Sequence, residues 1–135
     1  MNSWKISLTV ALLFPVALFA SENYKCNVKQ AESLENDGTL KQTSFSKILN
    51  NQEFVVERAT GKIIGGRGFS NHNDEFGQPK VLDNGSSEQS YKAITIYKPN
   101  VSVSYLQIME YAKENKKPFI FTTGGHVLTG LCVHY

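Results

Sequence analysis

The side chains with the most reactive potential in this chain are three histidines, His72, His126 and His134, and two cysteines, Cys26 and Cys132. His126 and His134 lie eight residues apart on one predicted strand, about 26 Å if extended. They cannot hold one metal ion unless His72 joins them at a sharp bend, so they read as structural or solvated. His72-Asn73-Asp74-Glu75 offers oxygen ligands but lacks the spaced acidic pattern and closing glutamate of a calcium loop. Ser86, Ser87 and Ser90 follow a turn without the G-x-S-x-G frame of a serine hydrolase. Thr60-Gly61-Lys62 has no glycine four residues upstream and reads as a hairpin turn rather than a phosphate loop. No metal, cofactor or catalytic set emerges. The reading is of a non-enzymatic chain, with a small envelope hydrolase as the minor alternative, to be recognised by His72 or His126 gathered with a serine or carboxylate.

Two polar loops remain as candidate binding surface. Arg67, His72, Asp74 and Glu75 come from the stretch Arg67 to Gln78, and Ser86, Ser87 and Glu88 from the turn Asn84 to Gln89. The expected partner is a protein or a small ligand, in the cell envelope or outside the cell. A nucleic acid is not expected. The 14 basic and 12 acidic side chains are interspersed, without the basic stripe that phosphate backbones require. The densest basic stretch, Lys113 to Lys117, contains Glu114 and precedes Pro118, as a solvated turn does.

These loops need a scaffold, and residues 1–20 say where it folds. Lys5 precedes an apolar run from Ile6 to Ala20, followed by a polar segment, the pattern of a secretory signal. The run is about 15 residues, below the roughly 20 that span a bilayer as a helix. Residues 21–135 then form a single domain, periplasmic or secreted, without stable membrane insertion once the leader is gone. An even cysteine count in an exported chain favours a disulfide. A Cys26–Cys132 bridge closes about 105 residues and brings the two ends of the domain together.

Hydrophobic period supplies the elements. Tyr24, Cys26 and Val28 alternate with Lys25, Asn27 and Lys29, as on a half-buried strand. Ser44 to Asn50 carries Phe45, Ile48 and Leu49 at helical spacing behind a cap at Thr43 or Ser44. Glu53 to Gly65 is a hairpin turning at Gly61. Ser70 to Gln78 is the most loop-like stretch, and Val81-Leu82 a short apolar run. Tyr91 to Tyr97 alternates, with Ile94 and Ile96 opposite Tyr91, Ala93 and Thr95. Val101 to Ala112 fits both periods, and its β-branched and aromatic content favours strand. Pro118 to Thr123 and His126 to His134 form a last hairpin around Gly124-Gly125. The expectation is an all-β fold: a small antiparallel barrel or sandwich of seven to eight strands, one short helical turn, and adjacent first and last strands.

The phrases YKCNVKQAESLENDGTL, FVVERATGKIIG, VLDNGSSEQSYKA and KPFIFTTGGHVLTGLC, in that order, resemble a group of small exported bacterial proteins of unknown function. The resemblance spans almost all of residues 21–135 and implies a Gram-negative periplasmic or secreted β protein. It carries no catalytic residue. A looser similarity is to bacterial inhibitors of host lysozyme, which are small exported barrels with a disulfide and a serine-containing loop ahead of an aromatic residue, here Ser86 to Tyr91. The tighter S-G-x-x-Y pattern of that group is absent.

Overall fold

A computed structural model of the protein describes residues 22–68, 70, 71 and 77–135. The expected leader, and His72, Asp74 and Glu75 of the candidate surface, lie outside these residues. Among the described residues, nine strands and one helix follow in chain order: β1 (Tyr24–Leu34), β2 (Leu40–Lys41), α1 (Ser44–Leu49), β3 (Glu53–Val56), β4 (Ile63–Gly65), β5 (Gly77–Asn84), β6 (Tyr91–Tyr97), β7 (Ser102–Ile108), β8 (Lys117–Thr123) and β9 (His126–His134). All pairings are antiparallel, in the order β4-β3-β1-β9-β8-β7-β6-β5, with the two-residue β2 added to β1. The sheet curls into a half-barrel. Strands β5 to β9 form an uninterrupted meander, and the β1–β9 ladder joins it to the β1–β4 group.

That ladder is the seam of the molecule, and the disulfide crosses it. Asn23 and Tyr135 exchange both backbone hydrogen bonds, at 3.0 and 2.8 Å. Counting inward from them, Cys26 and Cys132 occupy a non-hydrogen-bonded pair, where opposed Cα atoms approach most closely. Here the two Cα atoms are 3.9 Å apart and the sulfurs are bonded. The expected first-to-last adjacency is therefore met by directly opposed cysteines.

One face of the curl carries the core: Tyr24, Cys26, Val28, Phe54, Val56, Leu106, Ile108, Phe121, Leu128 and Cys132 are all buried. A β-bulge between Val28 and Gln30 keeps β1 facing inward along its whole length. It turns both Lys29 and Gln30 to solvent, so the inward set resumes at Ala31 and Ser33. Gly130 lies opposite Val28, and crowding there demands glycine. A Cβ at position 130 would stand 2.0 Å from the Asn27 carbonyl oxygen and 2.7 Å from the Phe119 ring.

A buried side chain links the β4 edge across the curl to β6. Asn71, almost fully buried, pairs with the Ile63 backbone through its own N–H and its side-chain oxygen. Its amide nitrogen donates to the Gly61 carbonyl at 3.2 Å and to Thr95 Oγ1 at 2.8 Å. One asparagine thus ties β4 and the β3–β4 turn to β6. On β5, Pro79 has no N–H to offer and suits an edge strand. The strand begins at Gly77, so Gly77 and Gln78 belong to the sheet rather than to the preceding loop.

Helix α1 is capped by Thr43, whose hydroxyl accepts from the Ser46 N–H while Ser46 Oγ accepts from the Thr43 N–H. Only Leu49 of its three apolar residues is buried; Phe45 and Ile48 face solvent. Asn50, just beyond the helix, accepts from the Ala31 N–H through Oδ1 at 2.9 Å and extends the edge of β1. The ambiguous stretch Val101 to Ala112 contains strand β7 and then a turn.

Candidate functional site

Polar side chains gather in two places, at opposite ends of the β1–β9 seam. At the end holding Tyr24 and His134, the centre is Glu110, in the turn between β7 and β8. Its carboxylate accepts from Tyr24 Oη at 2.9 Å and from His134 Nε2 at 2.9 Å, and lies 3.9 Å from Arg58 Nη1. Arg58 enters from the β3–β4 turn. Its guanidinium donates to the carbonyls of Asn84 (2.7 Å) and Gly85 (3.3 Å) and stands over the Tyr24 ring, 5.4 Å from the centroid. The Tyr24 ring also packs on Tyr91 and His134, with centroids 5.3 and 5.2 Å away. Tyr91 Oη donates to the Arg58 carbonyl at 3.2 Å. Gly85 belongs to the same assembly: its φ is +71°, and a Cβ there would press on the Tyr91 backbone and on Glu110 Cβ.

This assembly is partly withdrawn from solvent: the side chains of Glu110, Arg58 and His134 keep 12%, 18% and 30% of their exposure. Burial, reinforced by the Glu110 carboxylate, raises the Tyr24 phenol far above the ordinary tyrosine range. Burial also pushes Tyr91 up to about 12. His134 Nδ1, the nitrogen turned away from Glu110, is buried and 3.5 Å from Glu22 Oε2. A general base needs a nitrogen that substrate can reach. The geometry instead holds five segments of chain together around one carboxylate.

At the other end, His126 Nδ1 is 2.9 Å from Ser33 Oγ, which is 3.1 Å from Thr43 Oγ1. Either hydroxyl can donate in the Ser33–Thr43 contact, and the His126 tautomer sets the direction of the Ser33–His126 bond. The His126 ring packs on Phe45, 4.9 Å between centroids, beside an open groove of about 450 Å³ that includes Leu34, Leu40, Val103 and Val127. A histidine has thus been gathered with a serine, the arrangement named above as the mark of a hydrolase. Among the described residues no carboxylate is bonded to the other nitrogen of His126, and none of the His, Cys, Asp and Glu side chains cluster as metal ligands.

The loop residues singled out from the sequence occupy different places. Arg67 is exposed and precedes β5, whereas Ser86, Ser87 and Glu88 are exposed in the turn after it. Ser86 Oγ accepts from the Glu88 and Gln89 N–H groups at 3.2 and 3.1 Å and so shapes its own turn. β3 ends at Val56, and the turn that follows frees Arg58 to reach inward.

Comparison with known proteins finds no matching family model, no matching curated protein and no matching solved structure. The surface itself must therefore carry the functional argument. A second groove, of about 490 Å³, crosses the outward face of β7, β8 and β9 between Met109, Pro118, Ile120 and Leu131, with Lys29, Gln107 and Thr129 along it. Sequence reading missed it because its residues occupy the outward positions of strands whose inward positions carry the stronger apolar signal. Among the described residues no helix is long and apolar enough to cross a membrane.

Proposed function

We propose that this protein is an exported, non-catalytic β domain that binds a protein or a small ligand in the periplasm or outside the cell, through the outward face of its sheet. The observation that carries the reading is the distribution of apolar side chains. The inward face is used up by the core, yet Leu34, Leu40, Phe45, Val103 and Met109 remain exposed around two open grooves. Exposed apolar surface in grooves rimmed by polar groups is characteristic of recognition sites. The disulfide supports an oxidising compartment. The test is affinity capture from the cell envelope with the oxidised protein, against a control whose groove residues are replaced by serine. Retention of one species by the first and not the second is expected; equal retention would remove the reading.

The Ser33–His126 hydrogen bond favours a second reading, a small hydrolase acting in the adjoining groove. Release of nitrophenol from short acyl esters, abolished by Ser33→Ala, would establish it. The looser lysozyme-inhibitor reading rests on the exposed Ser86 to Glu88 turn, and muramidase assays across several lysozyme types test it directly.

A further inference from the structure

We propose that the groove across β7, β8 and β9 binds a free fatty acid, the acyl chain lying on Met109, Pro118, Ile120 and Leu131 and the carboxylate meeting Lys29. This inference rests on the binding-domain reading above and names a ligand class for one of its two grooves.

Three observations select that chemistry. First, the volume of about 490 Å³ is that of a small-molecule site, and its four apolar walls come from adjacent turns and strands. Second, the strands beneath it are central, so their backbone N–H and C=O groups are spent on neighbouring strands. An extended peptide bound there would find no edge to pair with and would leave its own backbone unsatisfied. A ligand with an apolar body and one polar end has no such requirement. Third, the charge is one-sided. Lys29 is thrown outward by the bulge, and among the described residues no carboxylate lines the groove. Lys25, Lys41 and Lys92 each have a carboxylate within 4 Å, whereas Lys29 has none among the described residues. The Met109 end leads into the loop holding Lys113, Glu114 and Lys116, while Lys117 opens β8 and its ammonium donates to the Ala112 carbonyl. Gln107 is already committed: its amide donates to Ser90 Oγ, and its oxygen accepts from Tyr105 Oη. The unspent charge at the groove is therefore the Lys29 ammonium, which suits a single carboxylate.

The test is titration of laurate, below its micellar concentration, into the protein as recovered from cells, followed by amide chemical shifts and by calorimetry. Dodecylamine and dodecanol serve as chain-matched probes. One-to-one laurate binding is expected, with shifts centred on residues 29, 107–109, 118–120 and 129–131, and weaker binding of both other probes. Lys29→Glu, an exposed change that leaves the fold intact, lowers laurate affinity at least tenfold and raises that of dodecylamine; Leu131→Ser weakens all three. Shifts centred on Leu34, Leu40 and His126, or laurate affinity unchanged in Lys29→Glu, would overturn the assignment. If laurate fails to bind while the envelope capture retains a species that depends on the groove residues, the ligand class is wrong and the binding-domain reading stands. If both fail, the reading goes as well.

Discussion

Tyr24 and Glu110 are 86 residues apart in sequence, and the phenol of the first donates to the carboxylate of the second at 2.9 Å. The bond joins the first strand to the turn between β7 and β8, two strands beyond the β1–β9 seam. Arg58 and His134 converge on the same carboxylate, so one end of the half-barrel is held by a single anion. Its partners are long-range, and no ladder supplies them.

Replacing Glu110 is accordingly expected to cost more than a surface acid would. Glu110→Ala leaves Tyr24 Oη without its acceptor and Arg58 beside an uncompensated space. A destabilisation of about 2–4 kcal/mol is expected from breaking a largely buried charged network. Urea unfolding of Glu110→Ala beside Glu22→Ala checks it, because Glu22 is well exposed and its change should fall within about 0.5 kcal/mol of zero.

The tyrosines give this end an alkaline signature. Unfolded tyrosine ionises near pH 10, whereas burial holds Tyr91 up to about 12 and raises Tyr24 further. A group that binds its proton more tightly when folded contributes fully below its unfolded value, and that contribution is lost as pH rises through the folded one. Stability should therefore decline above about pH 10. Absorbance titration near 295 nm should show two of the six tyrosines ionising late, together with unfolding. Tyr24→Phe removes one of these late ionisations.

At low pH the turn between β1 and β2 should respond first. Asp37 accepts from the Thr39 N–H at 3.0 Å, the Thr39 hydroxyl at 2.6 Å and Lys41 Nζ at 3.0 Å. The Thr39 bonds and then Lys41 hold its carboxyl below the ordinary aspartate value. The turn is supported above that value and loosens as pH falls through the lowered one. The protection factors of the Thr39 and Leu40 amides, corrected for the intrinsic exchange rate at each pH, should fall with decreasing pH in the wild type and be low at all pH values in Asp37→Asn.

Much of this architecture was legible in the residues. Alternation at Tyr24 to Val28 and at Tyr91 to Tyr97 marked strands, and in the second the structure buries the face of Tyr91, Ala93 and Thr95 rather than that of Ile94 and Ile96. Thr43 marked the helix start, Gly61 and Gly124-Gly125 marked turns, and the two cysteines named the seam. What escaped was of another kind. Phe45 and Ile48 have helical spacing, yet a six-residue helix at the sheet's edge buries only one apolar position, Leu49. Pro79 disguised the start of β5, because an edge strand tolerates a residue that a central one rejects. The Glu110 assembly and the Ser33–His126 pair join positions separated by 24 to 110 residues or more of intervening fold, and no local spacing encodes a contact of that range. The outward groove is hidden for the same reason, since three strands contribute to it and none carries it alone.

The last prediction concerns how the seam is secured. Among the described residues, Cys26–Cys132 lies on the only ladder that joins the β1–β4 group to the meander, with Gly130 two residues away filling a place where no side chain fits. In the chain-entropy view, opening a loop of this size releases up to about 4–5 kcal/mol of constraint on the unfolded chain. Gly130→Ala acts on the folded side instead, forcing the Asn27 carbonyl and the Phe119 ring apart. Reduction should therefore lower the thermal midpoint strongly while leaving the near-ultraviolet spectrum of the surviving folded fraction unchanged. Gly130→Ala should lower the midpoint and also alter that spectrum, because the packing of Phe119 against Phe54 is disturbed. Melts of oxidised, reduced and Gly130→Ala protein separate the two effects. An unchanged midpoint on reduction would mean that the paired strands hold the seam without the sulfurs.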